Sequence, residues 1–158
     1  MVTRMIACAF MLGLSACAQM PLTQADAHGP ITPAQLQHDY PLFSATSVDS
    51  ADILQLRTAL AEHPDIEFKV FFGTWCHDSQ RVLPKLLGLL ANVPAEQFSL
   101  ALHAQPRAKA ERTQIYRDFN VGPLPSILVL RNGQEIGRVI ELPKTTLAAD
   151  LAELIGKS

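Results

Sequence analysis

Cysteine is the residue this 158-residue chain has least to spare. Three are present, and Cys8 and Cys17 both fall in an N-terminal apolar segment, which leaves Cys76 alone in the body of the chain. One thiol closes no internal disulfide, so a fold stapled by disulfides is excluded. Long hydrophobic runs are missing too. Met5 to Ala18 is apolar or small throughout, but a membrane-spanning helix needs about 20 such residues. Charge of one sign is also lacking. The 13 Lys and Arg stand against 15 Asp and Glu for a net charge of −2, with no run of like charges, so no footprint for nucleic acid is present. No Gly-rich phosphate loop, serine nucleophile elbow or paired-carboxylate constellation occurs. His28, His38, His63 and His103 are scattered without ligand spacing, and with one thiol among them no soft-metal site is expected. The length suits a single domain with one sizeable core.

What is present begins with a targeting signal. Arg4 precedes the apolar run, and the run contains Leu14-Ser15-Ala16-Cys17. This tetrad resembles the bacterial lipobox, in which the cysteine is lipidated and becomes the mature N-terminus. Ala16-Cys17-Ala18 also fits ordinary signal cleavage after Ala18. The lipobox reading implies a lipoprotein signal peptide over residues 1–16, a lipid-anchored tether and N-terminal extension over 17–48, and a folded domain over 49–158. Ala18, rather than Asp, follows the cysteine, which resembles sorting to the outer membrane. Localisation is therefore expected at the cell envelope, on the periplasmic face of that membrane. The prolines at 21, 30 and 33 fit a tether.

Along the domain, Asp49 or Ser50 can cap a helix whose Ile53, Leu56 and Leu60 share one face. His63-Pro64-Asp65 ends it. Ile66 to Phe72 is β-branched and aromatic and reads as a buried strand. Cys76 to about Ala91 reads as a helix with Val82, Leu83, Leu86, Leu87 and Leu90 on one face, kinked by Pro84. Phe98 to His103 is a second strand, 107–119 a polar helix, and Ser126 to Leu130 a third strand. Asn132-Gly133 turns the chain, Glu135 to Ile140 pairs back, and Thr145 or Thr146 caps a last helix. The order is α-β-α-β-α-β-β-α.

Three motifs in register carry a family resemblance. Phe71-Phe72-Gly73-Thr74-Trp75-Cys76-His77-Asp78-Ser79 resembles the thioredoxin active site, where Trp-Cys-x-x-Cys joins a strand to a helix. Pro84 lies two helical turns on, where thioredoxins carry a proline. Leu124-Pro125-Ser126, followed by an apolar strand and Arg131-Asn132-Gly133, resembles the cis-proline segment and its hairpin. The similarity spans about residues 50–156. It implies an α/β thioredoxin-like fold with a central mixed sheet of four to five strands flanked by helices. Two departures stand out. Ser79 replaces the second cysteine, and Val70 stands where the family has a buried acid. A full dithiol cycle is thus closed to this chain, which is most similar to secreted thioredoxin-like proteins with a Trp-Cys-x-Asp-Ser core.

Cys76, His77 and Ser79 are the candidate catalytic residues, and Trp75, Asp78, Leu124 and Pro125 the candidate substrate-binding ones. A cysteine at a helix N-terminus meets unpaired N–H groups and the positive end of the helix dipole, which favour thiolate. Ser79, one turn on, either hydrogen-bonds that thiolate or is a first-turn residue with no task. His77 is either a proton donor to a leaving thiol or a solvated residue at a helix start. Asp78 is a favourable charge at that terminus. Trp75 would shape a docking patch, and a cis Pro125 would hold the Leu124 backbone where the family pairs it with peptide or glutathione. Two functions fit. One is thiol-disulfide exchange through a single cysteine, on envelope protein thiols or disulfides, with an external reductant and no cofactor other than glutathione as co-substrate. The other is a non-catalytic protein-binding module on the same fold.

Overall fold

The structure is a computed structural model, and it describes residues 25–157. The lipobox, Cys17 and the signal segment lie outside the described residues. Five strands, β1 (Gly29–Ile31), β2 (Ile66–Phe72), β3 (Phe98–Ala104), β4 (Ser126–Arg131) and β5 (Gln134–Ile140), form one sheet in the order β1-β3-β2-β4-β5. Only β2 and β3 run parallel, and the other neighbours are antiparallel. The helices are α1 (Pro33–Asp39), α2 (Ser50–Glu62), α3 (His77–Leu90), α4 (Gln114–Asp118) and α5 (Leu147–Ile155). This is the thioredoxin-like arrangement expected from the sequence.

Alternation along the strands divides the apolar residues between two faces. Ile66, Phe68, Val70 and Phe72 of β2 and Ile127 and Val129 of β4 face the main core. Leu56 and Leu60 of α2, Leu83 and Leu86 of α3 and Leu151 and Ile155 of α5 pack onto them. The other face has a smaller core of Phe71, Leu128, Leu130, Tyr116, Val121 and Leu124. Among the described residues its helical cover is α4, and Trp75 and Cys76 pack against the cluster. The thinner face is where the candidate site lies.

Local signals match the elements. Asp49 caps α2 through its side chain and Thr146 caps α5. Asn132 (φ 51°) and Gly133 (φ 77°) form the β4–β5 turn, the left-handed pair a two-residue hairpin needs. Pro84 lies inside α3 without ending it.

Two stretches differ from the sequence expectations. Residues 25–48 are folded onto the domain, where the sequence analysis places tether and extension. β1 pairs with β3. Thr32 and Gln35 form a capping box on α1, and Leu36 and Phe43 are buried in the main core. Of the prolines that suggest a tether, Pro21 lies outside the described residues, Pro30 lies in the edge strand β1 and Pro33 in the first turn of α1, positions that need no backbone N–H. The second stretch is 107–119, read as one polar helix. It is a 3-10 turn (Lys109–Glu111), an extended Arg112 (φ −65°, ψ 146°) and the five-residue α4. Gln105 breaks the helix: its buried side-chain carbonyl accepts from the N–H and hydroxyl of Thr113, both at 3.3 Å.

Candidate active site around Cys76

β2 ends at Phe72, and Gly73 to Trp75 turn the chain into α3, with Cys76 as its N-cap (φ −89°, ψ 121°). The turn is closed by the Cys76 N–H, which donates to the Gly73 carbonyl at 3.0 Å. Several non-local bonds hold it. The Thr74 hydroxyl accepts from the Ala27 N–H at 3.0 Å, and the Gln80 amide donates to the Thr74 carbonyl at 2.8 Å. Trp75 Nε1 donates to the Gln105 carbonyl at 2.9 Å, and the Arg107 guanidinium lies 5.4 Å from the Trp75 ring centre. The indole thereby folds back over Gly73. A Cβ on Gly73 would fall 2.6 Å from Trp75 Cε2, so only glycine leaves the ring its place.

The thiol is half-buried and free. Its Sγ–H donates to the Leu124 carbonyl at 3.3 Å, directly before the cis Leu124–Pro125 bond. The Leu124 N–H has no partner among the described residues. Leu124 and Pro125 are themselves buried, and the contact with the thiol is made by the Leu124 backbone carbonyl.

The remaining candidate residues divide. Ser79 is fully buried, and its hydroxyl accepts from the Gly73 N–H at 3.2 Å. That bond ties the first turn of α3 to the loop beneath it, and Ser79 is not the thiol's hydrogen-bond partner. His77 is exposed at the start of α3. Asp78 faces Arg81 at 3.4 Å. Val70, at the position of the family's buried acid, is packed in the main core, so no carboxylate sits under the thiol. Among the described residues no group of three or more His, Cys, Asp or Glu could hold a metal ion. No helix there is long and apolar enough to cross a membrane.

Beside the thiol lies an open cleft of about 620 Å³, lined among others by Trp75, Cys76, Pro123, Leu124, Arg112 and Tyr116. The Arg112 residue is 7% exposed. One of its terminal nitrogens, Nη1, donates to the Tyr116 hydroxyl, which in turn donates to the Gly122 carbonyl. This chain braces the 121–125 loop against α4.

The fold is thioredoxin-like. It rests on the strand order and on the strand–cysteine–helix junction. Among solved structures the chain is similar to a Pseudomonas aeruginosa protein of unknown function, at 22% identity over 78% of this chain and 75% of that one, with a TM-score of 0.47. It is also similar to Trxlp from Edwardsiella tarda, at 23% identity over 71% and 98%, with a TM-score of 0.45. Thioredoxin 2 of Pseudomonas aeruginosa in its reduced form is 20% identical over 73% and 97%, with a TM-score of 0.43. No family model and no curated protein matches the chain.

Sequence reasoning missed Gln105, Arg112, Tyr116 and the 26–27 segment. Gln105 is buried far from any motif, and Arg112 and Tyr116 fall in the stretch read as a solvated helix. Asp26 pairs with Arg107 at 2.9 Å, and neither residue carries a signal before the chain folds.

Proposed function

We propose that this chain is a single-cysteine thiol-disulfide exchange protein of the cell envelope, held there by an N-terminal lipid on Cys17. The observation that carries the reading is Cys76 itself: a free, half-buried thiol at the N-cap of α3, in the wall of a cleft and against the Leu124 backbone. An inert core cysteine has no such setting. In the reaction, the Cys76 thiolate attacks one sulfur of a disulfide R–S–S–R′. The Cys76–S–S–R bond forms, the S–S bond of the substrate breaks, and R′–S⁻ leaves and takes up a proton. His77, the next residue along and exposed, would be the donor of that proton. An external thiolate then attacks the sulfur of R, forms a new disulfide and returns the Cys76 thiolate. No electrons are gained or lost by the protein over the cycle, as a one-thiol site requires. Leu124 N–H, unpaired at the cleft, would hold an extended substrate backbone.

The test exposes the mature protein to oxidised glutathione and follows it by mass spectrometry. One glutathione should add at Cys76, faster than to the same chain unfolded in urea, and leave again on addition of a thiol. The Cys76→Ser variant should take up none. If the folded protein labels more slowly than the unfolded chain, the exchange reading is lost, and the fold serves as a protein-binding platform.

A further inference from the structure

The cleft beside Cys76 holds a charge that the exchange reaction just described does not use. Arg112 is more than nine-tenths buried, and no carboxylate pairs with it among the described residues. Its Nη1 meets the Tyr116 hydroxyl, and its guanidinium lies 4.8 Å from the Tyr116 ring centre. Its Nε is buried with no hydrogen-bond partner among the described residues. A buried guanidinium without a counter-ion is costly, because neither water nor an anion repays its lost hydration. The small exposed remainder of the residue opens on the cleft that Cys76 also lines. The two acids on the same cleft do not reach it: Asp78 is turned to Arg81, and Glu141 is exposed at the rim. Lys109, also exposed at the rim, adds a second positive charge.

We propose that Arg112 is the anion anchor of this cleft, and that the substrate exchanged at Cys76 is a small thiol or disulfide carrying a carboxylate. The inference rests on the exchange reading and adds the substrate class to it. The cleft volume of about 620 Å³ lies in the range of small-ligand sites, roughly 300–1,000 Å³, and so has room for a small molecule. Arginine suits the task because its planar fork binds a carboxylate by charge and by direction together. The carboxylate would supply the missing counter-charge, and the guanidinium would fix the sulfur of the ligand at a set distance from Cys76. Arg112 acts on the ligand and leaves the thiol chemistry to Cys76.

The experiment compares two small disulfide probes. One is the dianionic 5,5′-dithiobis(2-nitrobenzoate) and the other the neutral 4,4′-dithiodipyridine. In each, the Cys76 thiolate forms a mixed disulfide with half of the probe and expels the other half as a coloured thiolate or thione. The ratio of the anionic to the neutral rate is the readout. It should be larger in the folded protein than in the same chain unfolded in urea. Arg112→Met should lower it by about tenfold, the scale of one charge-assisted hydrogen bond; a change in the thiol or in the 121–125 loop that Arg112 braces acts on both rates and cancels in the ratio. Arg112→Lys should restore part of it. A ratio unchanged in Arg112→Met overturns the anchor and leaves the exchange reading standing. A wild-type protein sluggish toward both probes overturns the exchange reading itself. If Arg112→Met loses its circular-dichroism signature, the unmodified protein still decides: equal ratios folded and unfolded reject the anchor.

Discussion

At the scale of single residues, His103 shows how the open face of the sheet tunes a side chain. Its ring stacks on Phe71 with centroids 5.3 Å apart. Burial disfavours its charged form most, and nearby Lys69 adds to this, while Glu67 opposes. The net effect holds its pKa below the usual 6.5. Lys69 is itself paired with Glu67 at 3.1 Å and lies over the Phe119 ring. A folded pKa below the unfolded one means that the unfolded chain binds the proton first as pH falls. His103 therefore costs no stability above about pH 6.5 and lowers it progressively as the pH drops through that value toward the folded pKa. The urea midpoint should fall between about pH 7.5 and about pH 5.5, and less so in His103→Phe, which keeps the stack but cannot take up a proton. Equal drops in the two proteins would reject this account. The residues that define the site were unevenly visible in the sequence. Cys76, Trp75, Leu124 and Pro125 stood in motifs with fixed spacing. Ser79 was visible as a polar residue one turn past the thiol, but its choice of Gly73 over Cys76 depends on how the loop folds back. Arg112 carried no sequence signal, because a buried arginine looks like a surface one until its neighbours are known.

At the scale of elements, helix α3 is read almost directly from its apolar spacing, and so are β2, β4 and α5. What the spacing does not show is why Gly88 is tolerated near the end of α3, where alanine would be a better helix former by about 1 kcal/mol. The reason is the chain at 44–48. The Thr46 N–H donates to the Pro84 carbonyl at 3.1 Å, and a Cβ on Gly88 would lie 2.1 Å from the Thr46 carbonyl oxygen. Two backbones meet there, so neither can yield as a flexible side chain would. Overpacking costs of about 1–3 kcal/mol exceed the propensity gain. Gly88→Ala should thus lower the urea unfolding midpoint despite the better helix former, and a raised midpoint would show that the 44–48 segment moves freely away. The same reasoning explains the 107–119 stretch. Its polar composition suits a helix, but Gln105, just past the end of β3, captures Thr113 and the helix starts late. Both outcomes are set by partners outside the element itself, which periodicity does not report.

At the scale of the whole molecule, the first described residues are part of the machine that holds the thiol. A reading from composition ends the extension at 48 and begins the domain at 49, because the prolines before it look like linker. The structure places Leu36 and Phe43 in the main core at 0% and 1% exposure. β1 covers the edge of β3, and Ala27 donates to the Thr74 hydroxyl behind Cys76. Burying two such side chains contributes roughly 1.5–3 kcal/mol each. That is a large share of the 5–15 kcal/mol that typically holds a domain folded. A chain that begins at residue 49 should accordingly show a much lower urea midpoint than one that begins at residue 25. Where it still folds, Cys76 should react with neutral disulfides at a rate nearer that of the unfolded chain, because Thr74 has lost its brace. Equal midpoints and equal rates in the two chains would return residues 25–48 to the status of a tether and detach them from the site.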